Sequence, residues 1–230
     1  MKLKRFAARR TWPIARKINQ FVIALRPGTH PKSRSLPLAI VLRDILHCAQ
    51  TVKEVRDILN KNLVKVDGKV RRDHRFPVGL MDVVSIGDEY YRILPDQKGL
   101  FLKRIDREEA KIKLSMIKNK SCLKGKIQLN LHDGKNIIVK KDDYKTGDVL
   151  VLDFENGIKE ILKFEKGATA LITGGHNIGS VGKIEKIIIT KSPQPNQISL
   201  IFADKKVTIP KNYVFVVGKE KPVIELGDDK

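Results

Sequence analysis

The residues of this chain whose types could do chemistry are mainly cations, and they are crowded at its start. The first 43 of the 230 residues hold eleven Lys or Arg and no Asp or Glu, and the first acidic residue is Asp44. Ammonium and guanidinium groups in such a stretch bind phosphates, because they release the counterions that condense on a nucleic acid. The cations predicted to do so here are Lys2, Lys4, Arg5, Arg9, Arg10, Arg16, Lys17, Arg26, Lys32, Arg34 and Arg43.

The charge of the chain is polarised toward this end. The formal net charge is +20, and the other 187 of the 230 residues hold 35 of the 46 basic residues against all 26 acidic ones. A segment without counter-ions of its own repels itself, so we expect it not to fold compactly alone but to order along a polyanion. The hypothesis is that residues 2–34 thread into grooves between RNA helices and gain affinity from phosphate contacts.

Trp12 is the only tryptophan of the chain, and it lies among these cations. An indole there can stack on an RNA base and fix the register of the segment, or it can pack against a folded domain. Both interpretations stay open. A mitochondrial presequence is also rich in Arg and poor in acids, but the prolines at 13, 27, 31 and 37 would interrupt its amphipathic helix.

A second group of cations lies on the exposed side of a predicted helix. Apolar residues recur at helical spacing after Pro37, and Thr51 with Glu54 forms a capping box that predicts the start of a second helix. The apolar positions of the first helix are Leu38, Val41, Leu42, Ile45 and Ala49. The second helix turns Val52, Val55 and Leu59 inward. Its outward residues, predicted to bind RNA, are Lys53, Arg56 and Asn60, followed by Lys61.

A tight hairpin follows the two helices. Asp67 and Gly68 separate two short apolar runs, and a two-residue Asp-Gly loop is typical of a type I′ turn. Three cations around this turn complete the predicted RNA-binding face: Lys69, Arg71 and Arg72. The run FPVGLMDVVSI then predicts a strand entered through a turn at Pro77 and Gly79. Such cations could be merely solvated, but their convergence on three elements favours binding.

Other reactive residues are scattered. The five histidines and the two cysteines, Cys48 and Cys122, show neither metal-ligand spacing nor a Ser-His-Asp or Cys-His arrangement. We therefore predict no catalytic residue, metal, cofactor or small-molecule substrate, and reduced thiols in a cytoplasmic protein. The longest apolar run, about seven residues, is far shorter than the roughly twenty that a membrane helix needs.

The sequence after Tyr90 is typical of β structure. Short apolar runs alternate with Gly, Asp and Lys turns, with one predicted helical interval at 107–114. The Asp133-Gly134 pair lies between two alternating runs and predicts a hairpin like that at Asp67-Gly68. Further strands are predicted in 144–152 and 164–172. A loop near residue 175 is rich in glycines that could allow a ligand to approach the backbone: Gly174, Gly175, Gly179 and Gly182, followed by Lys183. The spacing is not that of a nucleotide phosphate loop.

Two stretches carry a resemblance to known modules. The residues from Leu42 to Ile86 resemble the S-four RNA-binding domain of ribosomal proteins, pseudouridine synthases and some tRNA synthetases, with VDGK after EVRDIL as the most specific part. The run ITGGHNIGSVGKI resembles the KOW motif of small SH3-like barrels. Together with LKRFAARRTW, FPVGLMDVVSI and VFVVGKEKP, they make the chain similar nearly end to end to the archaeal and eukaryotic small-subunit ribosomal protein S-four-e family.

The resemblance implies an α+β, multidomain protein. The expected parts are a basic N-terminal extension (1–36), a small α+β S-four-type RNA-binding domain (37–94), a β-rich central domain (95–165), a KOW SH3-like β-barrel (166–222) and a tail (223–230). It implies a non-catalytic, rRNA-binding constituent of the small ribosomal subunit, with ribosomal RNA and neighbouring ribosomal proteins as partners and no membrane. The alternatives are an RNA-modifying enzyme, which would need a larger α/β domain, a transcription elongation factor, and a DNA-binding protein.

Overall fold

The computed structural model describes residues 3–123, 125–154, 157–202 and 205–226, and it divides into two units at residues 113 and 114. The protein is mostly β, with few helices, and the β structure predicted after Tyr90 is confirmed. Lys2 and residues 227–230 of the expected tail lie outside the described residues. Within the described tail, Ile224 is buried.

The first unit has a short helical hairpin and three small antiparallel sheets. Its strands are β1 (Leu3–Lys4), β2 (Phe21–Val22), β3 (Ser35–Pro37), β4 (Val64–Val66), β5 (Lys69–Val70), β6 (Pro77–Gly79), β7 (Val83–Ile86), β8 (Glu89–Asp96) and β9 (Gly99–Ile105). The sheets are β1-β2, β3-β6 and β5-β4-β7-β8-β9. The expected boundary between residues 94 and 95 falls inside β8, which pairs with β9 along nearly its whole length.

The helical hairpin forms where its capping signals predict it. Helix α1 (Leu38–Ile40) continues as a π-helix over Val41–Ile45, and α2 spans Val52–Asn60. Thr51 Oγ1 accepts a hydrogen bond from the Glu54 N–H at 3.3 Å, and Glu54 Oε2 accepts one from the Gln50 N–H at 2.9 Å. The first helix is one turn shorter than its apolar pattern predicts, because His47 adopts a φ of 53° and ends it before Ala49.

The Asp67-Gly68 hairpin is confirmed. Both residues have positive φ, 51° and 74°, as a type I′ turn requires, and they join β4 to β5. The turn predicted at Pro77 and Gly79 is wrong. These residues form β6 because they pair with β3, and the chain turns at 80–81 instead.

The second unit has two five-stranded antiparallel sheets. Its strands are β10 (Ile112–Leu123), β11 (Lys126–Leu131), β12 (Asn136–Val139), β13 (Val149–Asp153), β14 (Gly157–Leu162), β15 (Thr169–Ile172), β16 (Val181–Ile188), β17 (Gln197–Phe202), β18 (Lys205–Pro210) and β19 (Val214–Gly218). The first two residues of β10 belong to the first unit. The sheet orders are β12-β11-β10-β13-β14 and β18-β17-β16-β15-β19.

Two local predictions for this region need correction. The helical interval at 107–114 is only a 3-10 turn, Glu109–Lys111, because the chain enters β10 at Ile112, where sheet pairing overrides the local pattern. Asp133-Gly134 does join β11 to β12, but only Gly134 has positive φ. The connection is therefore longer than a two-residue I′ turn. The buried Asp133 carboxylate accepts a hydrogen bond from the Lys135 N–H at 3.1 Å.

Candidate nucleic-acid interface

The basic N-terminal segment, residues 3–36, is packed onto the first unit rather than extended from it. Ala8, Trp12, Leu25 and Leu36 belong to the same buried cluster as the helical hairpin and the sheet residues Val64, Val66 and Val84. The expectation that this segment needs a polyanion for its order must therefore be corrected. Its apolar residues anchor it to the domain, because burying them offsets the repulsion among its cations.

Trp12 is one of these anchors. It is only 4% exposed, and its indole N–H donates a hydrogen bond to the Ser35 carbonyl at 2.9 Å. Arg5 is also buried, at 6% exposure. Neither side chain offers a surface to RNA, so we leave both out of the interface. Packing against the domain was the other interpretation of Trp12, and the structure favours it.

Arg16 holds the segment in shape. Its guanidinium donates hydrogen bonds to the carbonyls of Ala8 at 2.9 Å and Arg9 at 2.6 Å. These contacts, seven and eight residues back along the chain, fix the turn between residues 8 and 16. The cations of the segment that remain exposed are Lys4, Arg9, Arg10, Lys17, Arg26, Lys32 and Arg34. We call these seven residues the arm cations.

The segment meets the loop 71–76, which follows the Asp-Gly hairpin. Arg26 forms an ion pair with Asp73 at 3.2 Å, and its backbone N–H donates to the Arg75 carbonyl at 3.1 Å. Arg75 in turn donates from Nε to the Ala24 carbonyl at 2.8 Å. These contacts place one arm cation beside the loop that carries Arg71 and Arg72.

The same loop lies along α2. The Arg72 Nε–H donates to the side chain of Asn62, just beyond the end of α2, at 2.9 Å. Burial and the nearby charge of Arg56 lower the pKa of His74, and Arg75 and Arg26 lower it further while Asp73 opposes them. Arginines from the N-terminal segment, from α2 and from the loop therefore share one neighbourhood around His74.

The outward residues of α2 are where the sequence predicts them. Lys53, Arg56, Asn60 and Lys61 are exposed, whereas Val55 and Leu59 are fully buried. Lys69 is exposed in β5. The predicted face is altered in one respect, because the half-buried Arg71 guanidinium stacks over the Phe76 ring at 4.3 Å from its centroid. Arg43 is also only partly exposed and pairs with Asp44 at 2.8 Å.

A buried charge network fixes the hairpin that carries this face. The fully buried Lys113 pairs with Asp67 at 2.6 Å and with Asp82 at 2.5 Å, and His30 contacts Asp82 at 2.9 Å. Asp82 also accepts a hydrogen bond from the Gly79 N–H at 2.9 Å. The network joins the N-terminal segment, the Asp-Gly turn and the start of β10. Sequence reasoning missed it, because no local pattern marks Lys113 as buried.

The titration of Asp82 should reveal this network. Burial alone would raise the pKa of Asp82, but the charges and hydrogen bonds of Lys113 and His30 outweigh burial and hold it well below its ordinary value. Below about pH 4 the unfolded chain takes up a proton at Asp82 that the folded chain does not, so the free energy of unfolding falls. We therefore expect urea unfolding to show a steeper acid loss of stability for the wild type than for Asp82→Asn. Parallel curves from about pH 7 to pH 2.5 would contradict this assignment.

The predicted glycine loop lies in the second unit, between β15 and β16. Gly175 and Gly179 have positive φ, 93° and 89°. A Cβ at Gly174 would lie 2.3 Å from the Tyr213 ring, and one at Gly182 would lie 2.8 Å from the Ile201 carbonyl oxygen. All four glycines thus have reasons within the fold, which do not require a ligand near the backbone. Gly182 and Lys183 belong to β16, and Lys183 is exposed.

The described residues contain neither a metal-binding cluster nor a membrane-spanning helix. Among the described residues, no group of three or more His, Cys, Asp or Glu could hold a metal ion. Cys48 and Cys122 are both exposed free thiols. In the described parts of the chain, no helix has the length and apolar character needed to cross a membrane.

Comparison with known proteins identifies the family of this β-rich chain. The profile of the ribosomal family S4e matches residues 87–158. The small ribosomal subunit protein eS4 of Methanosphaera stadtmanae is 47% identical over 99% of this chain and 96% of its own length. The protein of the same name from Methanothermobacter thermautotrophicus is 46% identical with the same coverage.

A solved structure gives the same result. The crystal structure of the 30S ribosomal protein S4e from Thermoplasma acidophilum is similar with a TM-score of 0.71 and 34% identity, covering 81% of this chain and 96% of that one. The chain belongs to the ribosomal protein family S4e.

Proposed function

We propose that this chain is a structural, non-catalytic constituent of the small ribosomal subunit, which binds ribosomal RNA and supports subunit assembly and translation in the cytoplasm. The observation that carries the proposal is the convergence around His74 of Arg26, which is one of the arm cations, with Arg56 of α2 and Arg75 of the loop. Near full-length similarity to proteins named as small ribosomal subunit proteins supports it. Neighbouring proteins of the subunit would be its other partners.

The interface suits RNA that is recognised by shape. The arm cations and the exposed cations of α2 offer positive charge to the phosphates of a folded RNA. The major groove of A-form RNA is deep and narrow, so phosphate and 2′-hydroxyl contacts dominate recognition of paired RNA. Most of the affinity would then come from phosphate contacts, with base contacts limited to unpaired nucleotides.

We also propose that the chain contains two known RNA-associated modules. The helical hairpin with the Asp-Gly turn would be an S-four-type RNA-binding module within residues 37–94, and the sheet β18-β17-β16-β15-β19 would form the KOW SH3-like barrel of residues 166–222. The strand-loop-strand arrangement of β15 and β16 supports the latter. The exposed Lys183 would offer a phosphate contact, and the glycines would shape the loop that precedes it.

Two aromatic residues of the N-terminal segment should separate folding from RNA binding. Trp12→Ala should lower the free energy of unfolding by about 3–5 kcal/mol, because it removes a buried anchor. Phe6 is 73% exposed among the arm cations, so Phe6→Ala should change stability by no more than about 0.5 kcal/mol. If Phe6 stacks on an unpaired base, the same change should weaken rRNA binding by about 1–3 kcal/mol. Urea unfolding and filter binding measure the two effects.

Each assignment is contradicted if its variant shows no effect. A Trp12→Ala protein of unchanged stability would mean that the indole is not an anchor of the core. A Phe6→Ala protein with unchanged rRNA affinity would remove Phe6 from the interface, whereas Phe6→Trp keeps a large aromatic surface and should bind as the wild type does.

Sedimentation tests the proposed function itself. Native lysate is fractionated on a sucrose gradient at moderate salt, and the chain is followed with an antibody. We expect it to sediment with the small ribosomal subunit and to remain with it after a second gradient. A chain found only in the light fractions, or with RNA polymerase, would overturn the proposal.

A further inference from the structure

A cleft lies where the N-terminal segment crosses the end of the first helix. Its volume is about 570 Å³, within the range of small-ligand sites. Pro13 and Ile14 line one side of it. Arg43, Asp44, His47 and Gln50 line the other and bring polar groups to its edge. The cleft thus combines apolar surface with hydrogen-bonding groups, and Lys17 is exposed three residues after Ile14.

The backbone beside the cleft is unusual. The chain is π-helical over Val41–Ile45, where the Leu46 N–H donates to the Val41 carbonyl at 2.9 Å. Short π-helical segments occur frequently at functional sites. His47 follows with a φ of 53°, in the left-handed region, which is more costly for a residue with a Cβ than for glycine.

His47 differs from the other non-glycine residues that share this conformation. Asn62 accepts the hydrogen bond from Arg72, Asp67 pairs with Lys113, and Met81 is buried in the core. Each of these side chains has a role in the fold. The His47 imidazole is exposed, and within the described residues the structure gives it no hydrogen-bond partner. Glycine would end the helix there with less strain, so the backbone alone does not require an imidazole at this position.

The chemistry of the cleft matches a nucleobase. Arg43 and Asp44 form a two-point pair, Nε to Oδ1 at 3.2 Å and Nη2 to Oδ2 at 2.8 Å, which holds a carboxylate and a guanidinium at the edge of the cleft. A base has two apolar faces and a polar edge, and proteins bind unpaired bases by stacking on His, Arg or aromatic side chains while pairing with that edge. The imidazole of His47 would provide stacking, and Asp44 with Gln50 would provide hydrogen bonds.

We propose that this cleft receives one unpaired nucleobase of the ribosomal RNA, stacked on His47 and hydrogen-bonded by Asp44 and Gln50. The proposal rests on the proposed function and adds a base-specific contact to an interface otherwise built on phosphates. The acid-free segment that lines the cleft, with Lys17 three residues after Ile14, would hold the flanking phosphates.

Chemical probing of the RNA tests the proposal. The full chain is bound to small-subunit rRNA, and base-edge reagents and hydroxyl radicals are applied to the complex. We expect the wild type to protect the edge of one unpaired base. The variant His47→Gly/Gln50→Ala should restore the reactivity of that base to its value in free RNA and weaken binding by about 5-fold to 100-fold. Hydroxyl-radical protection of the surrounding backbone should persist, since the arm cations are unchanged.

Loss of base protection in this variant cannot be attributed to unfolding. His47→Gly relieves a strained backbone, so the variant should melt no lower than Gln50→Ala alone. Lys17→Ala is the comparison for a phosphate contact, and it should weaken binding without exposing the base. Base protection that survives in the double variant would overturn the cleft assignment while the function stands. Absence of any backbone protection by the wild type would instead overturn the proposed function.

Discussion

Removing six arm cations should weaken binding to small-subunit rRNA by on the order of a thousandfold at about 0.1 M salt. The variant replaces Lys4, Arg9, Arg10, Lys17, Lys32 and Arg34 by Gln, and all six are exposed. For every phosphate that is no longer neutralised, the slope of log affinity against log salt should fall by about 0.7 to 0.9. Filter binding over a range of salt concentrations measures both quantities.

A matched variant of the second unit controls for net charge. Six of its exposed lysines are replaced by Gln: Lys118, Lys159, Lys163, Lys166, Lys191 and Lys205. The net charge falls equally in both variants. If binding depended only on the net charge of the protein, both variants would lose the same RNA affinity. We expect the control to lose less than about tenfold in affinity. Equal losses would contradict a localised interface on the first unit.

Replacing Lys113 by Met should lower the free energy of unfolding by about 3–5 kcal/mol, since removing one partner of a buried ion pair leaves uncompensated charge in the interior. Here the ammonium group serves two carboxylates, those of Asp67 and Asp82, and its side chain is fully inaccessible. The substitution should also loosen the contact between His30 and Asp82, which ties the N-terminal segment to the domain. Urea unfolding measures the change.

The same strand offers the control. Lys118 lies in β10 and is exposed, so Lys118→Met should alter stability by no more than about 0.5 kcal/mol. If Lys113→Met were as stable as Lys118→Met, the network would not contribute to folding. Rescue by the added changes Asp67→Asn and Asp82→Asn would show that repulsion between the two unpaired carboxylates causes part of the destabilisation.

The features that sequence reasoning predicts well are those set by neighbours along the chain. The Thr51 capping box and the type I′ turn at Asp67-Gly68 depend on a few consecutive residues, and both form as predicted. The outward face of α2 follows from a period of 3.6 residues. The exposed cations of α2 could therefore be identified without a structure.

The features that it misses or leaves open depend on residues far apart in the chain. Trp12 is buried because its indole N–H reaches Ser35, and Lys113 is buried because its partners lie 46 and 31 residues earlier. A cation within a strand ordinarily indicates a solvated position, so composition points away from the burial of Lys113, whereas the sequence leaves the burial of Trp12 open. The left-handed φ of His47 leaves no local signal either, since the residue that most often ends a helix in this conformation is Gly.

The central claim is that the first unit binds ribosomal RNA through the arm cations and the exposed face of α2. Cross-linking within the native particle tests this claim most directly. Small subunits are irradiated with ultraviolet light, digested and analysed by mass spectrometry for peptides that carry nucleotides. The account predicts that cross-linked nucleotides map to residues 4–34 and 53–72 and that Trp12 carries none. Cross-links confined to the second unit, with the arm cations unmodified, would contradict it.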